Sequence, residues 1–290
     1  TLYYLGWESL EPKFFVFENV TGILSAKVDG ELIFPQIIGA LGKRYKVIDN
    51  PSMLVHNTAN YGVPQLRKRV IIMGVRNDLS EVDVADLYKN VVKTNWLPDS
   101  PENERAGLER FVDVRQAIGD LPKVEPGKDA SAKEFRYPCD NSFLKKIGKR
   151  GIHPLMDHIA RKHNNLDRER FEVMIRNHWT FGQLRKEMPQ YEHEHARVFD
   201  NSYVVQWWDL PSKTILAHIH KDGFQFIHPD QSQARTFTVR EAARIQSFPD
   251  DFEFAGSRGE KYKQIGNAVP PLFAEALAKS IRSNLDKLKI

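Results

Sequence analysis

Thr238-Val239-Arg240-Glu241-Ala242-Ala243-Arg244-Ile245-Gln246-Ser247-Phe248-Pro249-Asp250, with Gln264-Ile265-Gly266-Asn267-Ala268-Val269-Pro270-Pro271 after it, reads as an ordered site built where two helices begin. Thr238 and Glu241 have the spacing of a capping box, so a helix starts there and stops before Pro249. Pro270 and Pro271 pre-set the first turn of a second helix, whose apolar positions Phe273, Leu277, Ile281 and Leu288 run close to helical spacing. Gly266-Asn267, just before it, is expected to put a flexible backbone and an amide beside a helix N-terminus. Such a place suits a carboxylate.

Working outward, Phe14-Phe15-Val16-Phe17 is an apolar run expected of a strand buried on both faces of a parallel sheet. Glu18-Asn19-Val20 follows at once, at the carboxyl end where open α/β sheets bind ligands. Tyr61-Gly62-Val63-Pro64-Gln65-Leu66-Arg67-Lys68-Arg69 leads into a second apolar run, Val70 to Val75. Strand alternation predicts Arg67 and Arg69 on one side, facing one target. Taken singly, each of these is ordinary: a turn after a strand, a basic strand edge, a loop-to-helix junction.

Taken together and in this order, the four blocks resemble those of the DNA cytosine-5 methyltransferases. The resemblance implies an α/β fold: the second half of a Rossmann-like S-adenosylmethionine-dependent sheet, with a smaller, mixed target-recognition domain. It divides the chain into residues 1–79 (catalytic half-sheet), 80–263 (recognition of double-stranded DNA) and 264–290 (a segment and helix returning to the catalytic domain). In the half-sheet, a helix around 31–41 and strands near 14–17, 45–48 and 70–75 are expected. Stretches 97–104 and 122–130 read as loops, and 203–207 and 214–219 as short strands.

The resemblance also implies roles. Cytosine carbon 5 is a poor nucleophile, and the family activates it by adding a cysteine thiolate to carbon 6 of a base flipped out of the duplex. Glu18 is then expected at the base's Watson–Crick edge, partly desolvated behind Phe14, Phe15 and Phe17. Arg69, with Arg67, would bind the ring carbonyl and a nearby phosphate. Asn19 would brace the catalytic loop, and Gln65 has a structural, loop-bracing role beside it. Leu2, in Thr1-Leu2-Tyr3-Tyr4, would lie near the cofactor's adenine, with Asn267 and Ala268 at its amino-acid end. Thr214, within the stretch Trp207–His218, would lie close to DNA.

Charge adds a second signal. The net charge of +4 decides nothing, but residues 143–186 carry eleven Lys/Arg against four Asp/Glu, whereas 81–130 carry seven against eleven. Lys145, Lys146, Lys149, Arg150 and Arg161, with Trp179 and Phe181 nearby, form a candidate phosphate-contacting face or a solvated helical surface. The size of the insert points to a specific DNA site more than to the family's transfer-RNA methylating relatives.

Two features set limits. Only seventeen residues precede Glu18, and neither the family's glycine-rich cofactor loop nor its Pro-Cys nucleophile block is among them. The expectation is a C-terminal portion, inactive alone, whose N-terminal portion is lost, disordered or carried on another chain. A recognition subunit of a split enzyme and a non-catalytic DNA-binding module are the alternatives. Pro138-Cys139-Asp140 looks like the missing block but falls on the wrong side of the order, so Cys139 reads as a structural or incidental thiol. One cysteine excludes a disulfide framework and fits a reducing cytoplasm. No signal pattern and no long apolar run suggests a membrane. His153, His158 and His163, five apart, do not share a helix face, and His193 and His195 flank Glu194, so no metal is expected and surface or phosphate-facing positions are.

Overall fold

Val70–Val75 forms the middle of the strand that organises the sheet. In the computed structural model, which describes residues 10–137, 140–148, 151–192 and 203–288, four strands make this sheet: β1 (Phe14–Val20), β2 (Tyr45–Val47), β3 (Val55–Asn57) and β4 (Lys68–Arg76). β4 is central and buried along nearly its whole length. β1 pairs with one edge, Phe14 opposite Val75 and Val20 opposite Arg69. β2 and β3 share the other edge, at residues 74–76 and 68–70. The interval between them is filled by the Tyr88 hydroxyl, which accepts the Met73 N–H at 2.8 Å.

Every pairing to β4 is antiparallel, a correction to the parallel sheet expected from the apolar runs. Ten residues separate β3 from β4, enough for a reversal but short of the crossover that parallel neighbours need. β1 and β2, both opposed to β4, run the same way as each other. β1 is half-buried rather than buried on both faces. Phe15 is its buried residue, and its ring fills the space over Gly74, where a Cβ would stand 2.2 Å from the ring.

Helix α1 (Ile33–Gly42) and helix α2 (Val84–Lys89) pack on this sheet. Val82, Leu87, Tyr88 and Val91 belong to its core, so the sheet's packing continues past residue 79. Beyond it lie α3 (Val114–Ile118), the hairpin β5–β6 (Ala132–Tyr137 and Gly151–Leu155), α4 (Ser142–Ile147), α5 (Asn165–Asn177) and α6 (Phe181–Glu187). The expected strands at 203–207 and 214–219 are absent. A single bridge, Val205 to Ile227, and a 3-10 turn at Ala217–His220 stand there instead. Side-chain bonds replace the ladder: Gln206 Oε1 accepts from the Lys213 N–H and from the Ser212 hydroxyl.

Helix α7 (Val239–Ile245) carries the expected capping box, Thr238 to Glu241. Ser247, at φ +63°, turns the chain back, and Asp250 thereby reaches Arg244 with two bonds of 2.7 and 3.0 Å. Helix α8 (Arg258–Asn267) includes the Gly-Asn pair, which therefore ends a helix and is not a flexible lead-in. The glycine is there for proximity: a Cβ on Gly266 would lie 2.4 Å from the Ala217 nitrogen. Helix α9 (Pro271–Leu285) returns to the sheet, burying Phe273 and Leu277, with Ile281 and Leu288 packed against the same core. Lys287 ties it to Asp86 of α2 at 2.8 Å.

Candidate active site

Glu18 lies near the carboxyl end of β1. Alternation puts it on the face of Phe14 and Val16, not behind Phe15 and Phe17, and its side chain is 25% exposed. Its Oε1 accepts from Arg69 Nε at 2.8 Å, while Arg69 Nη1 donates to the Lys68 carbonyl at 2.8 Å. Burial lowers the Arg69 pKa, and the facing Glu18 opposes that shift. The pair adjoins a cleft of about 670 Å³ lined by Arg69, Lys68, Asn57, Thr214, Leu216 and the Leu97–Asp99 loop. Among the described residues, Arg69 Nη2 and Glu18 Oε2 make no hydrogen bond. Arg69 stands on the wall of that cleft with Glu18 ion-paired to it, a cation and a carboxylate oxygen of the kinds that engage a carbonyl and an amino group of one heterocycle.

Arg67 does not join them. It lies in a break between the two-residue strand Gln65–Leu66 and β4, so alternation is interrupted there. Its guanidinium is buried and turns away, donating to the carbonyls of Ile215 (2.8 Å), Gly266 (3.1 Å) and Ala268 (3.2 Å). Burial lowers it to about 10, with Arg69 acting in the same direction, so it stays charged at neutral pH.

Gln65 completes a closed circuit. Its Oε1 accepts the Ile215 N–H at 2.9 Å, and its Nε2 donates to the Ile245 carbonyl at 3.1 Å and to Gln246 Oε1. Gln246 Nε2 donates to the Ala268 carbonyl at 2.7 Å, which Arg67 also holds. The Gln-x-Arg-x-Arg stretch, the end of α7 and the α8–α9 junction are thus clipped together by one buried ring of hydrogen bonds. Nothing in the local pattern announced this, because the partners lie 148 to 201 residues away.

The α8–α9 junction differs from expectation too. Pro270 and Pro271 carry no N–H, and the Leu272 N–H is taken by Ser247 Oγ at 3.2 Å. The helix start therefore offers an anion little. Asn267 is exposed, so its carboxamide is the group at this junction that fits a ligand, whereas Ala268 presents a carbonyl already bonded twice. Asn19 accepts the Val20 N–H with its own side chain at 2.8 Å, fixing the turn after β1.

Of the expected phosphate contacts, Lys145 and Lys146 are exposed on α4, and Thr214 donates to the Leu66 carbonyl at 2.7 Å on the cleft wall. Arg161 is a correction. It is buried, donates to the carbonyls of Ile219, His220 and Lys221, and stacks on Tyr262. His158, expected at the surface, is wholly buried. Its Nε2 faces the Pro122 carbonyl at 2.8 Å and so carries the proton, leaving Nδ1 to accept from the Thr238 hydroxyl. Leu2, Lys149, Arg150, Cys139, His193 and His195 lie outside the described residues.

Charge inside α7 is organised rather than displayed. Glu241 takes both Arg235 bonds at 2.7 Å and the Thr238 N–H at 2.7 Å. Burial would raise its carboxyl, but Arg235 and His228 outweigh that and hold it well below the usual range. His228, 3.6 Å from Glu241, is pushed down to about 3 by burial despite that carboxylate. An unfolded His228 takes a proton near pH 6.5, the native one only near 3, so stability falls as pH drops below 6.5. From pH 7.5 to 5.0 the loss from this residue is about 2 kcal/mol. Urea midpoints at both pH values should show it, with a shallower slope in His228→Asn. An equal slope would clear His228.

The family model for C-5 cytosine-specific DNA methylase matches residues 7–283. The chain is 35% identical over 289 residues to the type II methyltransferase M.Bpa9945I of Bacillus paralicheniformis, covering 95% of this chain and 61% of that protein. It is 32% identical over 289 residues to M.DdeI of Desulfomicrobium norvegicum, covering 93% and 63%. The chain thus spans less than two thirds of the length of these curated relatives. A putative DNA modification methyltransferase encoded within an E. coli prophage superposes with a TM-score of 0.68 at 22% identity, covering 98% of this chain and 73% of that one. That likeness bears on the fold alone.

Proposed function

Because the chain belongs to the C-5 cytosine-specific DNA methylase family, we propose that it is the C-terminal portion of a DNA cytosine-5 methyltransferase. The enzyme would transfer a methyl group from S-adenosylmethionine to carbon 5 of a cytosine flipped out of a specific duplex site, as a bacterial modification enzyme. The observation that carries this reading is the Glu18–Arg69 pair, bonded at 2.8 Å beside a cleft that Lys68 and Thr214 also line.

In this reading the flipped base enters that cleft. Glu18 holds the amino group of the base and shares a proton at ring nitrogen 3, while Arg69 binds the ring carbonyl. Arg67 and Gln65 position both from behind, and Asn19 braces the turn after β1. S-adenosylmethionine supplies the methyl group, and Asn267 would contact its amino-acid end. Residues 80–263 act in target recognition, although their first dozen pack with the sheet, and 264–290 belong to the catalytic domain.

The thiol that adds to carbon 6 is proposed to come from polypeptide outside residues 1–290. The single cysteine, Cys139, falls between the Gln-x-Arg-x-Arg and Arg-Glu-Ala-Ala-Arg blocks. Among the described residues no strand pairs with the outer edge of β1, which leaves a row of backbone groups for a further strand. Among the described residues no helix is long and apolar enough to cross a membrane. A non-catalytic DNA-binding module is the second reading, and the Glu18–Arg69 pair tells against it, since binding alone needs no base-activating cleft.

Co-expression with a polypeptide bearing the glycine-rich loop and Pro-Cys block, followed by bisulfite sequencing of host DNA, tests the proposal. New 5-methylcytosine confined to one sequence context is expected. Sequence-specific binding with no methylation in any such pairing would favour the module.

A further inference from the structure

The cleft beside Glu18 and Arg69 continues past Thr214. Leu66, Thr214 and Leu216 line both it and an adjoining hollow of about 300 Å³. Leu216, Gln225 and Phe226 in turn line both that hollow and a third of about 220 Å³. The three make one groove, running from the proposed catalytic pair to Lys221–Phe226. Exposed Lys68, Lys213 and Lys221 border it against exposed Asp99 and Asp222. With Arg69 already matched by Glu18, the lysines exceed the aspartates by one, so the groove's charge admits a polyanion continuous with the cleft.

Gln225 stands exposed in this groove on the 3-10 turn Phe224–Phe226. Both neighbours are anchors. Phe226 is buried, and the Phe224 ring stacks on Tyr203 at 4.7 Å and 18°. The backbone is held at each step: the Val204 N–H to the Phe224 carbonyl (2.9 Å), Gln206 Nε2 to the Gln225 carbonyl (2.7 Å), and the Phe226 N–H to the Gly223 carbonyl (2.7 Å). Arg161 pins the carbonyls of Ile219, His220 and Lys221 from behind. The backbone under this carboxamide is already fixed, so contact costs the ordering of one side chain and no rearrangement of the turn.

We propose that Gln225 reads a base edge of the DNA target, with Lys213 and Lys221 contacting the flanking phosphates. This rests on the methyltransferase reading above. A carboxamide pairs its oxygen and its N–H with the amino group and ring nitrogen 7 of adenine in the major groove. An A·T pair is therefore the preferred partner.

The test is selection from a randomised duplex library with the full-length protein, native and substituted. The native protein should select a motif with adenine at one position. Gln225→Ala should lose about tenfold or more of the discrimination there, with the other positions and non-specific affinity unchanged. Gln225→Glu, of the same size, should shift that position toward cytosine, since a carboxylate accepts from the cytosine amino group. Lys221→Ala should weaken all sequences alike and flatten the salt dependence. Unchanged preference at every position in both Gln225 variants would overturn the proposal, as would an equal loss at all positions from folded protein. A native protein that binds no duplex DNA would overturn the methyltransferase reading with it.

Discussion

Glu18→Gln in the complete enzyme is expected to lower methyl transfer by about 10²- to 10⁴-fold, the range for losing a positioned proton-transfer group. That is roughly 3–5 kcal/mol of barrier. The glutamine keeps size and polarity and can still accept from Arg69 Nε, so the local structure survives. It cannot share a proton at ring nitrogen 3. The loss should therefore appear in the single-turnover rate and leave duplex affinity within a few-fold, because affinity comes chiefly from phosphate contacts. Arg67→Ala supplies the contrast. That side chain holds the carbonyls of Ile215, Gly266 and Ala268 and is buried away from the cleft, so its loss should reduce stability, binding and turnover together. A Glu18→Gln enzyme with native turnover would remove Glu18 from the chemistry.

The two arginines also show where reading a sequence stops. The helices at α7 and α9 were legible because capping and proline rules act within four residues, and β1 and β4 because apolar runs are local. Arg67 departs from the expected side because alternation holds only within an unbroken strand, and the ladder breaks at that residue. Its orientation is set by acceptors more than a hundred positions downstream. Arg161 failed for a related reason: a run of positive charge does not say which member finds buried carbonyls, here about sixty residues on. In the sequence Gly266 reads as flexibility, whereas its role is contact, since only the fold brings Ala217 against it. The Glu18–Arg69 pairing escaped the pattern too. The sequence marks both residues, but their joining follows from the register that sets Val20 opposite Arg69.

The largest expected loss of stability comes from Arg244→Ala. Arg244 and Asp250 are fully buried and Asp120 is 9% exposed. Burial alone would lower the guanidinium, but Asp250 and then Asp120 raise it further, so it remains a cation between two carboxylates. Removing it leaves both acids buried without their counter-charge, which costs about 3–5 kcal/mol. At a few degrees per kcal/mol for a chain of this size, the melting midpoint should fall by roughly 10 °C. Arg282→Ala is the control: its partner Asp286 lies one turn away and both are exposed, so the change should stay within about 0.5 kcal/mol. The double variant Arg244→Leu, Asp250→Leu should lose less than the two single changes combined, because no buried charge remains at that end. A loss below about 1 kcal/mol for Arg244→Ala would mean that water reaches the two acids. The effect should extend to the site, since the end of α7 supplies the Ile245 carbonyl and Gln246 that hold Gln65. Turnover in Arg244→Ala should then fall at temperatures below its melting midpoint, as the hydrogen-bonded ring behind Glu18 and Arg69 loosens before the chain unfolds.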